Sequence, residues 1–118
     1  MLNLLANIAI ALVALSHIGF LVLEMFLWDR PIGRRIFGMT PEQSRFSAPL
    51  AANQGLYNGF LAAGLVWGLA SGSFDVKIFF LVCIAVAGIY GGMTAKRSIL
   101  VMQALPALVA LALVYAAR

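Results

Sequence analysis

From Leu2 to Trp28 the chain runs through one continuously apolar stretch in which only His17 and Glu24 can ionise. A helix of about 20 such residues crosses the hydrocarbon core of a bilayer, so this stretch alone restricts the fold to one that lipid can solvate. Three further stretches qualify, at about Leu50–Ala70, Val76–Ala95 and Ile99–Ala117. None alternates apolar and polar residues as a barrel strand must, so each reads as a helix. Composition agrees, with 64% apolar and 10% charged residues against about 45–50% and about 25% in soluble domains. A water-soluble chain this small could not cover its surface with so few charges. The expected fold is all-α: a polytopic membrane protein, one domain over residues 1–118, built as a compact antiparallel four-transmembrane-helix bundle. Its helices are expected at about 2–28, 50–70, 76–95 and 99–117, with a cytoplasmic loop at 29–48.

Charge placement orients these spans. The first connection holds Arg30, Arg34, Arg35 and Arg45 and the third holds Lys96 and Arg97, whereas the opposite side holds Lys77 and Arg118. That bias puts the first and third connections in the cytoplasm of an inner (plasma) membrane protein, with both termini on the other side. No Lys or Arg precedes Arg30, and the first apolar run far exceeds the roughly 7–15 residues of a signal-peptide core. It is expected to stay as a span. Within the first connection, Thr40-Pro41-Glu42-Gln43 is a capping-box start for a short helix. Ile36, Phe37, Met39 and Phe46 can rest in the interface while the arginines meet anionic headgroups, which makes membrane lipids an expected partner. A net charge of +4, needed at the membrane surface, argues against nucleic acid. Cys83 is the sole cysteine, so no internal disulfide forms, and a small apolar role is expected for it.

The polar residues carry the functional question. Asn3, Asn7, Ile10, Ala14, His17, Leu21, Glu24 and Trp28 follow 4-3-4-3 spacing and fall on one seam of the first helix, which should face protein rather than lipid. With Trp28 as interface anchor and a rise of about 1.5 Å per residue, His17 lies roughly 16 Å and Glu24 roughly 6 Å from that anchor. The second span carries Asn53, Gln54, Tyr57 and Asn58 at its cytoplasmic end, with Gly55 and Gly59 letting a neighbouring backbone approach. Tyr90 and Thr94 in the third span and Gln103 in the fourth sit near the same end. Pro106 removes a backbone donor and is expected to kink its helix. The candidate ligand-binding residues are therefore His17, Glu24, Asn53, Gln54, Tyr57, Asn58, Tyr90 and Gln103. No catalytic set, metal-spaced cluster or cofactor motif is present, so the cofactor stays unknown. A single histidine per chain leaves His17 open between an interior histidine and a haem or metal ligand, since zinc sites usually need about four ligands.

With these residues placed, the chain resembles the small integral-membrane family catalogued as domain of unknown function 1304. The matching pieces are His17 with Glu24-Met25-Phe26-Leu27-Trp28, the run NQGLYNGFLAAGL at Asn53–Leu65, VAGIYGGMTAKR at Val86–Arg97, and QALPAL at Gln103–Leu108. The resemblance implies four membrane helices and no assigned activity, and supplies no catalytic residues to carry over. In size and helix count alone the chain is similar to small multidrug-resistance exporters and to quinone-associated four-helix proteins of the DoxX type, which is a fold-level likeness.

Three functions compete. A binding or transport module would use a polar pocket open to the cytoplasmic leaflet, with Glu24 as its titrating group and a small molecule or lipid as ligand. An accessory subunit would use the polar stripe and glycine faces to dock another membrane protein or a second copy. A lipid- or quinone-acting enzyme would use His17 and Glu24 as acid and base, or paired His17 residues holding haem. The first reading leads, because one carboxylate faces amides of the next helix.

Overall fold

The computed structural model describes residues 1–118, whose regular structure is entirely helical. The elements are α1 (Leu2–Met25), α2 (Pro31–Phe37), α3 (Pro41–Ser71), α4 (Phe74–Thr94), a π-helical segment (Leu100–Ala104) and α5 (Leu105–Ala116). Two of them, α1 and α4, are long and apolar enough to cross a membrane. The second expected span lies inside α3, whose 31 residues include the polar starts Pro41–Arg45 and Asn53–Asn58. The fourth forms a shorter apolar helix, Leu100–Ala116.

The chain departs from expectation most between the first two long helices. α1 ends at Met25, not Trp28, and the segment expected as a loop over 29–48 holds α2 and the opening turns of α3. Pro31 at the first helical position and Gly38 just past the end, at φ 63, bracket α2, with the glycine taking the left-handed conformation that side chains resist. The capping box forms as expected, Gln43 N–H donating to Thr40 Oγ1 at 3.1 Å and Thr40 N–H to Gln43 Oε1 at 2.9 Å. It opens α3 itself rather than a separate short helix. Pro49 lies inside α3 and leaves the Arg45 carbonyl without its helical donor, on a stretch where Arg45, Phe46 and Pro49 are all exposed.

The chain resolves into two compact units, Met1–Ala14 with Ala63–Arg118, and Leu15–Ala62. In the first, α4 packs on the π segment and α5. Gly88 lies against the Ala104 backbone and Gly92 against the Leu100 side chain, so neither has room for a Cβ. Ala104, Ala107, Ala110 and Val114 form the buried stripe of this pair. Gly64 seats the Phe80 ring, and Gly68 lies over Lys77, whose Nζ donates to Asn7 Oδ1 at 3.1 Å. Gly72, at φ 67, turns the chain from α3 into α4, where Ser73 Oγ accepts from Val76 N–H at 3.2 Å. Phe74 meets Tyr115 edge-on at 5.3 Å and lies under the Arg118 guanidinium at 4.7 Å.

In the second unit, Leu15–Ala62, the end of α1, α2 and most of α3 are joined by the connection. Gly33 of α2 is buried beneath the carbonyls of Leu27 and Trp28, where a Cβ would collide with backbone oxygen. Gly19 of α1, by contrast, has nothing within 4 Å of where its Cβ would stand. Backbone cannot yield as a side chain does, so Gly33→Ala is expected to destabilise by about 1–3 kcal/mol. Gly19→Ala should be neutral or stabilising by up to about 1 kcal/mol through helix propensity. Thermal unfolding of the two variants in one detergent checks the contrast, and equal midpoints would contradict it.

Candidate functional site

Glu24 occupies the last turn of α1, and the sequence of α3 decides what it meets. Along α3 the buried positions Ala51, Gly55, Asn58, Ala62 and Leu65 step by 4-3-4-3, which keeps them on one face. Two glycines clear the way for α1. A Cβ on Gly55 would stand 2.7 Å from Met25 Cγ and 3.1 Å from Glu24 Cβ, and one on Gly59 would stand 2.7 Å from Leu21 Cδ1. The helices therefore approach closely at this turn, and the Asn58 amide, 6% exposed, donates from Nδ2 to Glu24 Oε1 at 2.5 Å. A neutral amide thus holds one carboxylate oxygen without cancelling its charge.

Beside this pair opens a cleft of about 220 Å³ lined by Glu24, Met25, Phe26, Trp28, Asp29, Arg30 and Ala48. Its far wall is fixed by two side-chain ties between the connection and α3. The Trp28 indole donates from Nε1 to Ser47 Oγ at 2.9 Å while its ring lies 4.7 Å from that of Phe37. Ser47 in turn donates to the Gln43 carbonyl at 2.7 Å. Fully buried Ser44 donates from Oγ to Asp29 Oδ1 at 2.6 Å. Arg34 Nη1 reaches the same oxygen at 3.1 Å and the Asp29 carbonyl at 3.0 Å. The Ser44 hydrogen bond, chiefly, holds the Asp29 carboxyl below the ordinary carboxylate range; the charges of Arg34 and Arg45 act with it, against a desolvation cost.

The structure brings together only part of the residue set read from the sequence. Glu24 and Asn58 meet. Asn53, Gln54 and Tyr57 flank the buried face of α3 and are exposed, because each lies one or two positions, about 100° per residue, off the 51-55-58 stripe. The expected single polar sector is therefore split. His17 is buried at 1% exposure with its ring edge-on to Phe20 at 5.1 Å. Tyr90 and Gln103 belong to the other unit; Tyr90 is exposed, its carbonyl taking the Thr94 hydroxyl at 2.7 Å, and Gln103 is half-buried in the π segment. At the start of the α1 seam, Asn3 and Asn7 are exposed while Ile10, Ala14 and His17 are buried. Cys83 is half-buried rather than enclosed. No group of three or more His, Cys, Asp or Glu side chains is placed to hold a metal.

Sequence reasoning missed Asp29, Ser44, Ser47 and the indole tie of Trp28. The signal available was the Pro31…Gly38 bracket, which marks a helix and so implies an ordered connection.

The family model described as protein of unknown function (DUF1304) matches residues 11–115. The chain belongs to this family. A curated relative, the uncharacterized protein YpaA of Lactococcus lactis subsp. lactis (strain IL1403), is 30% identical over 114 residues, covering 93% of this chain and 96% of its own length. No solved structure matches. The matched DUF1304 segment contains the Glu24–Asn58 pair and the whole connection.

The Asp29 tie sets an acid dependence for this DUF1304 protein. Its folded carboxyl titrates lower than the unfolded one, near 3.9, so the folded state binds fewer protons between those two values. The stabilisation is complete above the unfolded value and is lost as pH falls through the folded one. In a Trp67→Phe background that isolates Trp28 fluorescence, Asp29→Asn is expected to lower the unfolding midpoint at pH 7. That deficit should shrink steadily below about pH 4. A deficit independent of pH would contradict the assignment.

Proposed function

We propose that this chain is a small multi-pass membrane protein that binds a small amphiphilic ligand at the Glu24 cleft and exchanges a proton with it. The four apolar stretches supply the spans, with the arginine-rich connection cytoplasmic. Support for a lipid solvent comes from exposure. Only 22% of the apolar window of α1 and 28% of that of α4 is buried, whereas the core helix of a soluble protein is mostly enclosed. Leu4, Leu12 and Leu15 on α1 are each about 60% exposed, a costly arrangement in water at about 25 cal/mol per Å² of apolar surface.

The observation that carries the binding reading is the half-buried Glu24 carboxylate, held by the neutral Asn58 amide and lining an open cleft. An ionisable group at such a depth in an apolar helix is seldom idle. Asn58 holds one oxygen of the carboxylate, and the cleft that Glu24 lines gives a ligand access to the residue. A cationic ligand stabilises the ionised form, so its arrival displaces a proton; proton return releases it. Glu24 is the titrating group, Asn58 positions it, and Trp28 and Phe26 offer apolar wall.

Dodecylammonium is a suitable probe of this exchange. Added to weakly buffered protein in detergent with a pH dye, it is expected to release protons from wild type and none above the detergent blank from Glu24→Gln. Identical traces from the two proteins would overturn the reading. The topology has its own test in bacterial fusions: a C-terminal alkaline phosphatase is expected to be active and a C-terminal green fluorescent protein dark. The reverse pattern would place the termini in the cytoplasm.

A further inference from the structure

The charges around the cleft do not cancel one another. The one ion pair in the structure joins Arg34 to Asp29, which leaves Asp29 compensated from outside the cleft. Two lining groups remain uncompensated. Glu24 has only the neutral Asn58 amide, and Arg30, exposed, has no carboxylate partner. The wall thus presents one free anion and one free cation, with apolar Met25 and Phe26 beside them and Phe26 64% exposed. A ligand complementary to such a wall carries both charges and an apolar tail.

We propose that the cleft recognises a phosphoethanolamine group, the zwitterionic headgroup of an aminophospholipid. This rests on the cleft reading above and names its ligand class. Glu24 accepts N–H hydrogen bonds from the primary ammonium, which an ionised carboxylate, having only acceptors, is suited to do. The Arg30 guanidinium takes the phosphate, for which its fork of donors is matched. A quaternary ammonium fits less well. It has no N–H to give Glu24, and the alternative recognition by an aromatic cage needs open ring faces. Here only Phe26 and Trp28 line the wall, too few rings for a cage, and the Trp28 ring is already engaged by Phe37, tilted at 38° with centroids 4.7 Å apart. An anionic headgroup without an amine leaves Glu24 facing a like charge. The source can be a membrane lipid or a free phosphoethanolamine, and the apolar flank favours the lipid.

Native mass spectrometry of the full chain in detergent, given an equimolar mixture of phosphatidylethanolamine, phosphatidylcholine and phosphatidylglycerol with matched acyl chains, tests this. The ethanolamine lipid is expected to be retained about fivefold over either competitor, the scale of one partly exposed ion pair. Glu24→Gln should reduce its preference over the glycerol lipid to none. Arg30→Gln, an exposed change that leaves the Asn58 contact intact, should weaken retention of the ethanolamine lipid relative to wild type. Displacement by free O-phosphoethanolamine would assign recognition to the headgroup alone; a surviving preference without displacement would assign it to the lipid. Equal retention of the three lipids, or preference for the glycerol lipid, overturns the proposal. If dodecylammonium still releases protons in that case, the cleft reading stands and only the ligand class falls. Absence of both effects removes the two together.

Discussion

A carboxylate set in the final turn of an apolar helix must find hydrogen-bonding company, since an unpaired polar group removed from water costs several kcal/mol in an apolar surrounding. Glu24 finds it in Asn58, and that contact dictates much of the local design. The amide of Asn58 is short, so the two helix axes must lie close, and closeness requires side chains to be absent where the helices touch. Gly55 and Gly59 provide that absence against Met25, Glu24 and Leu21. Burial of Asn58 follows from its place on the 51-55-58-62 stripe, and its satisfaction follows from the carboxylate opposite. Neither residue makes physical sense without the other.

The connection after α1 extends this logic to the cleft. A free twenty-residue loop would leave Trp28, Asp29 and Arg30 averaging over many positions, at an ordering cost of about 1–2 kcal/mol per residue when they bound anything. Here the cost is met on folding. α2 tucks Gly33 under the Leu27 and Trp28 carbonyls, and two serines of α3, Ser44 and Ser47, pin the neighbouring side chains. The basic residues then divide by role. Arg34 is consumed in holding Asp29, while Arg30 stays available at the mouth of the cleft.

Much of this was legible in the residues. Helix type followed from unbroken apolar runs, the α3 start from its capping box, and the close approach from Gly55 and Gly59. The α1 seam followed from 4-3 spacing only between Ile10 and Glu24, since Asn3 and Asn7 are exposed. The pairing of Glu24 with the amide-bearing helix was also readable. What could not be read was which amide turns inward, because Asn53, Gln54 and Asn58 project into one sector of about 140° around the helix and the packing face is set by Ala51, Gly55 and Ala62. The serine ties were hidden for another reason: Ser44 and Ser47 are ordinary helix residues until a partner from the connection is brought beside them. His17, equally prominent in the sequence, is sealed in the interior with Phe20 at its edge.

The π segment before α5 has a quieter consequence. Leu105 N–H bonds to the Leu100 carbonyl, five residues back, and Pro106, next in line, has no N–H for Met102. The wide turn holds one residue more than an α turn; Leu100 and Ala104 lie on the glycines of α4, and Ala107, Ala110 and Val114 are buried beyond it. Wide turns of this kind act as slack in a helix. Relatives that lose one residue between Leu100 and Ala104 can tighten that turn into ordinary α geometry with the downstream phase unchanged. Elsewhere along these rods a single deletion would rotate every following side chain by about 100°. Length variation within the helices should therefore concentrate at this one place.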